Sequence, residues 1–423
     1  MMPRKTPVFL VLLGVLLLGC SKPTAWEAAE AGALISPQGG APMDTLTFVW
    51  HAGDAQVYWI QVDNSSTFAT PVWEDSTVTD TLWRAPSILE AGTYYWRVRG
   101  KRIGEPWGPW QGPVRFTTPP EMIPLSFLET QGYVRDLSLD PLFPWVFYAQ
   151  GQAGVGAAEI SDLALLPLDT WDDASAQDNA RGVFHWPGDS LVYLADTDGG
   201  VKILQWSDTA FSYLNSEFGR NLYDLTGWVF NDTLYLYVAD QDDGVLVFRV
   251  ETPGFLTLLT TIPVEGYAYG ITTDGDHLYL AQGEQGIALF SLAIPAQPEP
   301  IATLDLPGNA QRVSVADTLL AVALKEAGIA LVNVADPSHP AVLCTYDPFD
   351  GYAWDVALAP GGGTLFVAAG GGGFWKLDVR HPQAPVAVGR FTGPYALSVL
   401  ALPTADLGSP RFLGGCRSGL YAF

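Results

Sequence analysis

Gly328-Ile-Ala-Leu-Val-Asn-Val-Ala-Asp-Pro-Ser-His-Pro340 reads as a glycine turn, an apolar strand and a proline-flanked turn, and it belongs to a series. The turn glycine before an apolar strand recurs at Gly154, Gly200, Gly244, Gly286, Gly328, Gly373 and Gly419, at intervals of 42 to 46 residues. An independent signature opens each unit: Tyr133-Val-Arg-Asp, Asn179-Ala-Arg-Gly, Asn221-Leu-Tyr-Asp, Tyr267-Ala-Tyr-Gly, Asn309-Ala-Gln-Arg, Tyr352-Ala-Trp-Asp and Tyr395-Ala-Leu-Ser. These openings keep the same step, 42 to 46 residues. Two unrelated markers in phase through seven units identify a repeat architecture, and the period suits a four-stranded propeller blade.

The residue after each opening is apolar throughout: Leu137, Val183, Leu225, Ile271, Val313, Val356 and Val399. One unit alone cannot bury both faces of its sheet, so these side chains are expected between neighbouring units. The seventh unit stops at Phe423, four residues past Gly419, without an outer strand of its own. The segment Ile123-Pro-Leu-Ser-Phe-Leu128, ahead of the first opening, is expected to supply that strand and close the ring, leaving no exposed edge.

The repeats resemble the LVIVD family, whose units read glycine, apolar strand, Asp-x-Ser-x-Pro, outer strand. The stretch from Gly328 to Pro340 follows that pattern nearly throughout; Gly373 to Pro382 and Gly286 to Pro295 are looser, and the first three units lack the proline-flanked turn. The resemblance covers about 300 residues and implies a propeller on exported or surface proteins, without implying a chemistry.

Working back toward the N-terminus, residues 41–120 alternate apolar and polar positions in short runs between turns, as in Val57-Tyr-Trp-Ile-Gln-Val62 and Gly92-Thr-Tyr-Tyr-Trp-Arg-Val-Arg99. Alternation puts Tyr94, Trp96 and Val98 inside. The run resembles fibronectin type III sandwiches, with Trp50 as the early strand tryptophan and Tyr94, or Tyr95, at the tyrosine corner. Trp107-Gly-Pro-Trp110 is similar to the paired-tryptophan motif of cytokine-receptor sandwiches, and outward Arg97 and Arg99 are placed to stack on those indoles. The fold expected is therefore all-β: a fibronectin type III-like sandwich followed by a seven-bladed β-propeller over residues 121–423.

Residues 1–19 form a processing signal, with basic Arg4 and Lys5 ahead of an apolar run from Val8 to Leu18. That run is shorter than the roughly 20 apolar residues a membrane-spanning helix needs. It ends in Leu17-Leu18-Gly19-Cys20, which resembles the lipobox of bacterial lipoproteins. The resemblance implies cleavage before Cys20, acylation of its thiol, and anchorage in a lipid bilayer of the cell envelope; residues 20–40 are then a lipidated linker. Ser21, where an aspartate would retain the protein at the inner membrane, points to an outer membrane or the cell surface.

Formal net charge is −24, and loss of Arg4 and Lys5 makes it more negative still. Such a chain repels phosphate backbones, so no nucleic-acid partner is expected. Cys344 and Cys416 fall in different units and are expected as separate buried thiols.

No Gly-x-Ser-x-Gly elbow, phosphate loop or His-Glu-x-x-His is present. Of the five histidines, His51 lies in the sandwich and His339 and His381 share one repeat turn, leaving His185 and His277, too few for a histidine metal centre. Asp196, Asp198, Asp240, Asp242 and Asp243 sit at corresponding hairpins and could hold calcium, but without a complete calcium-loop spacing; they are expected as hairpin turns. No cofactor is expected.

The third opening position carries Arg135, Arg181, Tyr223, Tyr269, Gln311, Trp354 and Leu397, with Asp136, Asp224, Arg312 and Asp355 at the fourth. Arginine and aromatics at convergent positions have the composition of binding hot spots, so these residues are expected at a propeller mouth, the alternative being packing between units. The function expected is a membrane-anchored binding or scaffold protein for a protein or glycan partner. The alternative is a carbohydrate- or lactone-active propeller enzyme, with calcium dependence left open.

Overall fold

The computed structural model describes residues 31–36, 39–40, 47–86, 89, 91–161, 164–173, 179–186, 188, 190–217, 219–251, 254–403 and 410–423. The signal segment and Cys20 lie outside these residues. The described chain is strand and turn throughout.

In the N-terminal part, one sheet pairs Leu34–Ser36, Thr47–Trp50 and Leu82–Arg84, and a second orders Gly39–Gly40, Gln111–Thr118, Gly92–Lys101, Val57–Asp63 and Trp73–Val78. Both contribute to one core in which Phe48, Trp50, Ile60, Trp96, Val98 and Phe116 are inaccessible or nearly so. The other face of Gly92–Lys101 carries the expected cation–π ladder. Arg97 lies 4.2 Å from the Trp110 ring centroid, and Arg99 lies 4.1 Å from Trp59 and 4.4 Å from Trp110.

From residue 126 onward the chain makes seven four-stranded antiparallel sheets among the described residues. The unit containing Gly328 is representative: Arg312–Ala316, Leu319–Ala323, Ile329–Asn333 and Ala341–Tyr346 pair in chain order. Gly328 has φ of +72°, and a Cβ there would stand 2.5 Å from the Tyr346 carbonyl oxygen, so the turn requires glycine. The same collision, with the carbonyl of the outer strand, occurs at Gly200, Gly244, Gly286 and Gly373.

Sheets pack through successive cores. Val183 is buried with Phe147 and Ala149 of the unit before it, Val313 with Tyr279 and Leu289, and Val356 with Ala321 and Leu331. All seven fifth-position residues are buried. Leu137 of the first unit shares a core with Leu413 and Leu420 of the last. The first strands also touch in cyclic order, and Asp136–Leu139 contacts Ala396–Ala401. This array of four-stranded sheets is consistent with a propeller.

The outer strand beside Gly419–Ala422 is Ser126–Glu129, with Leu128 opposite Leu420 and Phe127 opposite Tyr421. It begins three residues later than the segment expected from sequence. Ile123 and Leu125 remain exposed, because Pro124 has no amide to give to a ladder and the chain enters pairing only after it. Cys344 and Cys416 are both free thiols; Cys416 is buried as expected, whereas Cys344, in an outer strand, is only partly buried.

Candidate functional site

The openings are brought to one end of the array by stitches between units. Ala180 exchanges backbone hydrogen bonds with Gly151 of the preceding hairpin (3.0 and 3.1 Å). Ala310 does so with Gly283, Ala353 with Lys325, and Ala396 with Gly370. In these four units the second opening position is an inaccessible alanine, and its hairpin partner takes a left-handed φ between 52° and 63°. The seventh unit joins the first differently: the Val134 amide donates to the Cys416 carbonyl (3.0 Å) and Ser398 Oγ donates to the Val134 carbonyl (3.1 Å). The next residue along is fixed by its own unit. The amides of Arg135, Gln311 and Trp354 each donate to the alanine carbonyl closing the second strand (2.8 Å). Tyr269 makes the same hydrogen bond to the Ala281 carbonyl (3.0 Å), so the backbone at these third positions is held alike.

Six of those seven side chains line one cavity of about 70 Å³: Arg135, Arg181, Tyr223, Gln311, Trp354 and Leu397, with Arg312 also reaching it. Tyr269 is not part of the lining: it packs against the core between the fourth and fifth units and on Tyr223 (centroids 4.8 Å apart) and Tyr267 (6.1 Å). Cations at this end rest on rings. Arg181 sits 4.3 Å from Tyr223, Lys325 5.3 Å from Trp354, and Arg417 3.8 Å from Tyr395. Trp354 Nε1 donates to the Tyr395 hydroxyl (3.2 Å). Burial, and then the like charge of Arg181, depress the basicity of Arg135.

Below the cavity lies an ionic floor. Asp136, Asp224 and Asp355 surround Arg312, which ion-pairs with Asp224, stands 3.8 Å from Asp136 and donates to the Arg181 carbonyl (3.2 Å). Each aspartate also accepts the amide of the fifth position in the following unit: Asp136 from Val183 (2.8 Å), Asp224 from Ile271 (2.8 Å) and Asp355 from Val399 (2.9 Å). The following unit has a small residue at the fourth position in each case: Gly182, Gly270 and Ser398. Burial pushes the Asp136 carboxyl up to about 8 and that of Asp355 to about 6, against the pull of Arg312. In Arg312, burial opposes the charge but the three carboxylates prevail and hold the proton more tightly. The fourth-position aspartates, placed at the mouth by sequence reasoning, thus face the neighbouring unit's backbone. Successive residues of a strand point to opposite sides: the fifth faces the preceding unit and the fourth faces the next.

Sequence reasoning left out Arg417, Lys325 and the first-position tyrosines, of which Tyr133, Tyr267 and Tyr352 are about half exposed around the cavity. Aligning the units would have shown tyrosine at that column in four of seven. The hairpin aspartates are turn acceptors: Asp196 takes the amides of Asn179, Asp198 and Gly199, and Asp240 those of Arg220, Asp242 and Asp243. His185 is fully engaged by Asp140 and the Leu191 carbonyl (2.9 Å each). Among the described residues, no three His, Cys, Asp or Glu side chains gather as a metal site.

The family model for the LVIVD repeat matches residues 307–348, the unit built around Gly328. No curated protein matches the chain.

Proposed function

We propose that this chain is a lipid-anchored protein of the bacterial envelope in which a fibronectin type III-like spacer carries a seven-bladed β-propeller, and that the propeller mouth binds a protein or glycan partner without catalysis. The observation that carries the reading is convergence: side chains from six separate units meet at one cavity, although they are spread from Arg135 to Leu397 in sequence. Packing between units, the competing explanation for these positions, is done chiefly by the fifth-position residues, with Tyr269 alone of the third-position residues joining such a core among the described residues. The half-exposed tyrosines around the cavity, with arginine and tryptophan inside it, have the makeup of interface hot spots. Propeller closure is supported by the cyclic contacts of the first strands and by the Ser126–Glu129 strand completing the last sheet. Anchorage rests on the Cys20 motif alone.

The test is capture from native membranes by the mature chain, compared with a Trp354→Ala Tyr267→Ala variant. Recovery of a defined partner by the parent, and its loss with the variant at unchanged thermal stability, is the expected result. Equal capture by both would place the interaction elsewhere on the molecule.

A further inference from the structure

Arg135 stands between two hollows. One is the small cavity of the mouth. The other is a side cleft of about 610 Å³, lined by Tyr133, Arg135, Gln150, Gln152, Asp172 and Asn179. The cleft's polar groups are incompletely used by the chain. Gln150 is wholly inaccessible, yet neither of its amide atoms has a hydrogen-bond partner, and Asn179 Oδ1 and the Nε atoms of Arg135 and Arg181 are likewise buried and unpartnered. Native interiors rarely leave such groups unmatched, and an amide with both atoms unsatisfied is costly.

Charge is also unmatched. Among the described residues no carboxylate pairs with Arg135 or Arg181, because the three aspartates beneath are engaged by Arg312 and by backbone amides. Both guanidiniums are preorganised rather than loose: Arg181 lies against Tyr223, and Arg135 lies 5.9 Å from the Tyr133 ring. Two neighbouring cations held this way form a seat for an oxyanion.

We infer that the mouth and side cleft together bind an acidic sugar, its carboxylate seated on Arg135 and Arg181 and its hydroxyls on the Gln152 and Asn179 amides that line the cleft. The inference rests on the proposed binding role and names its ligand class. Side-chain amides offer a donor and an acceptor together, which suits vicinal hydroxyls, and Asp172 adds an acceptor. The exposed Tyr133 ring provides an apolar wall for a sugar face. The cleft falls within the roughly 300–1,000 Å³ of small-molecule sites.

The test is calorimetric titration of the mature chain with D-glucuronic acid, D-glucose and inorganic phosphate in turn. Glucuronate is expected to bind, with an affinity that falls as salt rises; glucose is expected to bind at least about tenfold more weakly, since one charge-assisted pair is removed. Arg135→Gln with Arg181→Gln is expected to abolish glucuronate binding. Relief of like-charge repulsion is expected to leave the melting temperature of that variant unchanged or higher, which separates a binding defect from misfolding. Gln152→Leu should weaken glucuronate without altering the salt dependence. Three results would overturn the inference: no glucuronate binding at tens of millimolar, equal binding of glucose, or binding of phosphate alone. Partner capture that still depended on Trp354 and Tyr267 would, in any of those cases, leave the broader binding role standing.

Discussion

Arg312→Gln tests the ionic floor beneath the cavity. Arg312 is the cation set against Asp136, Asp224 and Asp355. Arg312 ion-pairs with Asp224, and at about 4 Å and an effective dielectric near 20 one such pair is worth about 4 kcal/mol before desolvation is counted. Removing one member of a buried ionic cluster costs about 3–5 kcal/mol, because the remaining charges stay behind unpaired. Against a typical total of ~5–15 kcal/mol, that is a large fraction of the stability.

The pH dependence makes the test specific. Carboxyls raised by burial contribute stability that is present at low pH and lost as pH climbs through their folded values, here about 6 for Asp355 and about 8 for Asp136. Without Arg312 both values rise further, so the folded variant holds extra protons and its penalty grows with pH, by up to ~1.4 kcal/mol per pH unit per proton. Urea unfolding at pH 5 and pH 8 should therefore show a loss larger at pH 8 by ~1.5 kcal/mol or more. Asp136→Asn, which keeps an acceptor for Val183 and removes a charge, should recover part of that difference in the Arg312→Gln background. An equal penalty at both pH values, or one below ~1 kcal/mol, would refute the ionic floor as described.

Other outcomes follow from the packing. Gly270→Ala should cost ~1–3 kcal/mol in urea unfolding, because its Cβ would stand 2.6 Å from the Arg312 Cα and force two first strands apart. Leu128→Asp should lower the melting temperature and produce self-association by light scattering, since it places a charge in the core that joins the last unit to the first and frees the Gly419–Ala422 edge. Asp240→Ala should destabilise by ~1–3 kcal/mol through three orphaned amides, with calcium leaving the melting temperature of the parent unchanged. Cys20→Ser should move the protein from the membrane to the soluble fraction; retention at the membrane would remove the proposed anchor.

What the sequence disclosed is what each unit must do by itself. The turn glycines and the fifth-position apolar residues recur because every unit needs one hairpin and one buried flank, so seven copies of the same demand are visible in one reading. The closing strand was visible because the last unit lacked one; its start was displaced by Pro124, a local matter of a missing amide. The floor was not visible, because it is made of differences between units. Asp136 and Val183 are 47 residues apart, as are Asp224 and Ile271. An aspartate in one unit works only where the next has glycine or serine at the same column. Read down that column, the residues run Asp, Gly, Asp, Gly, Arg, Asp, Ser: each aspartate is followed by a small residue, and Asp224 reaches Arg312 across the intervening Gly270.

The same contrast explains why the mouth stands out in this chain. Acidic side chains outnumber basic ones by more than two to one, 45 to 21, so a cation chosen at random has many carboxylates available. Yet Arg135, Arg181, Lys325 and Arg417 lie on aromatic rings, and among the described residues none of the four has a carboxylate partner. Rings hold a cation in place without neutralising it, whereas a carboxylate would do both. The aspartates nearest the mouth are turned downward and committed to Arg312 and to backbone amides. Ring support above and ionic closure below leave these cations without a carboxylate among the described residues, and the proposed acidic ligand rests on that feature.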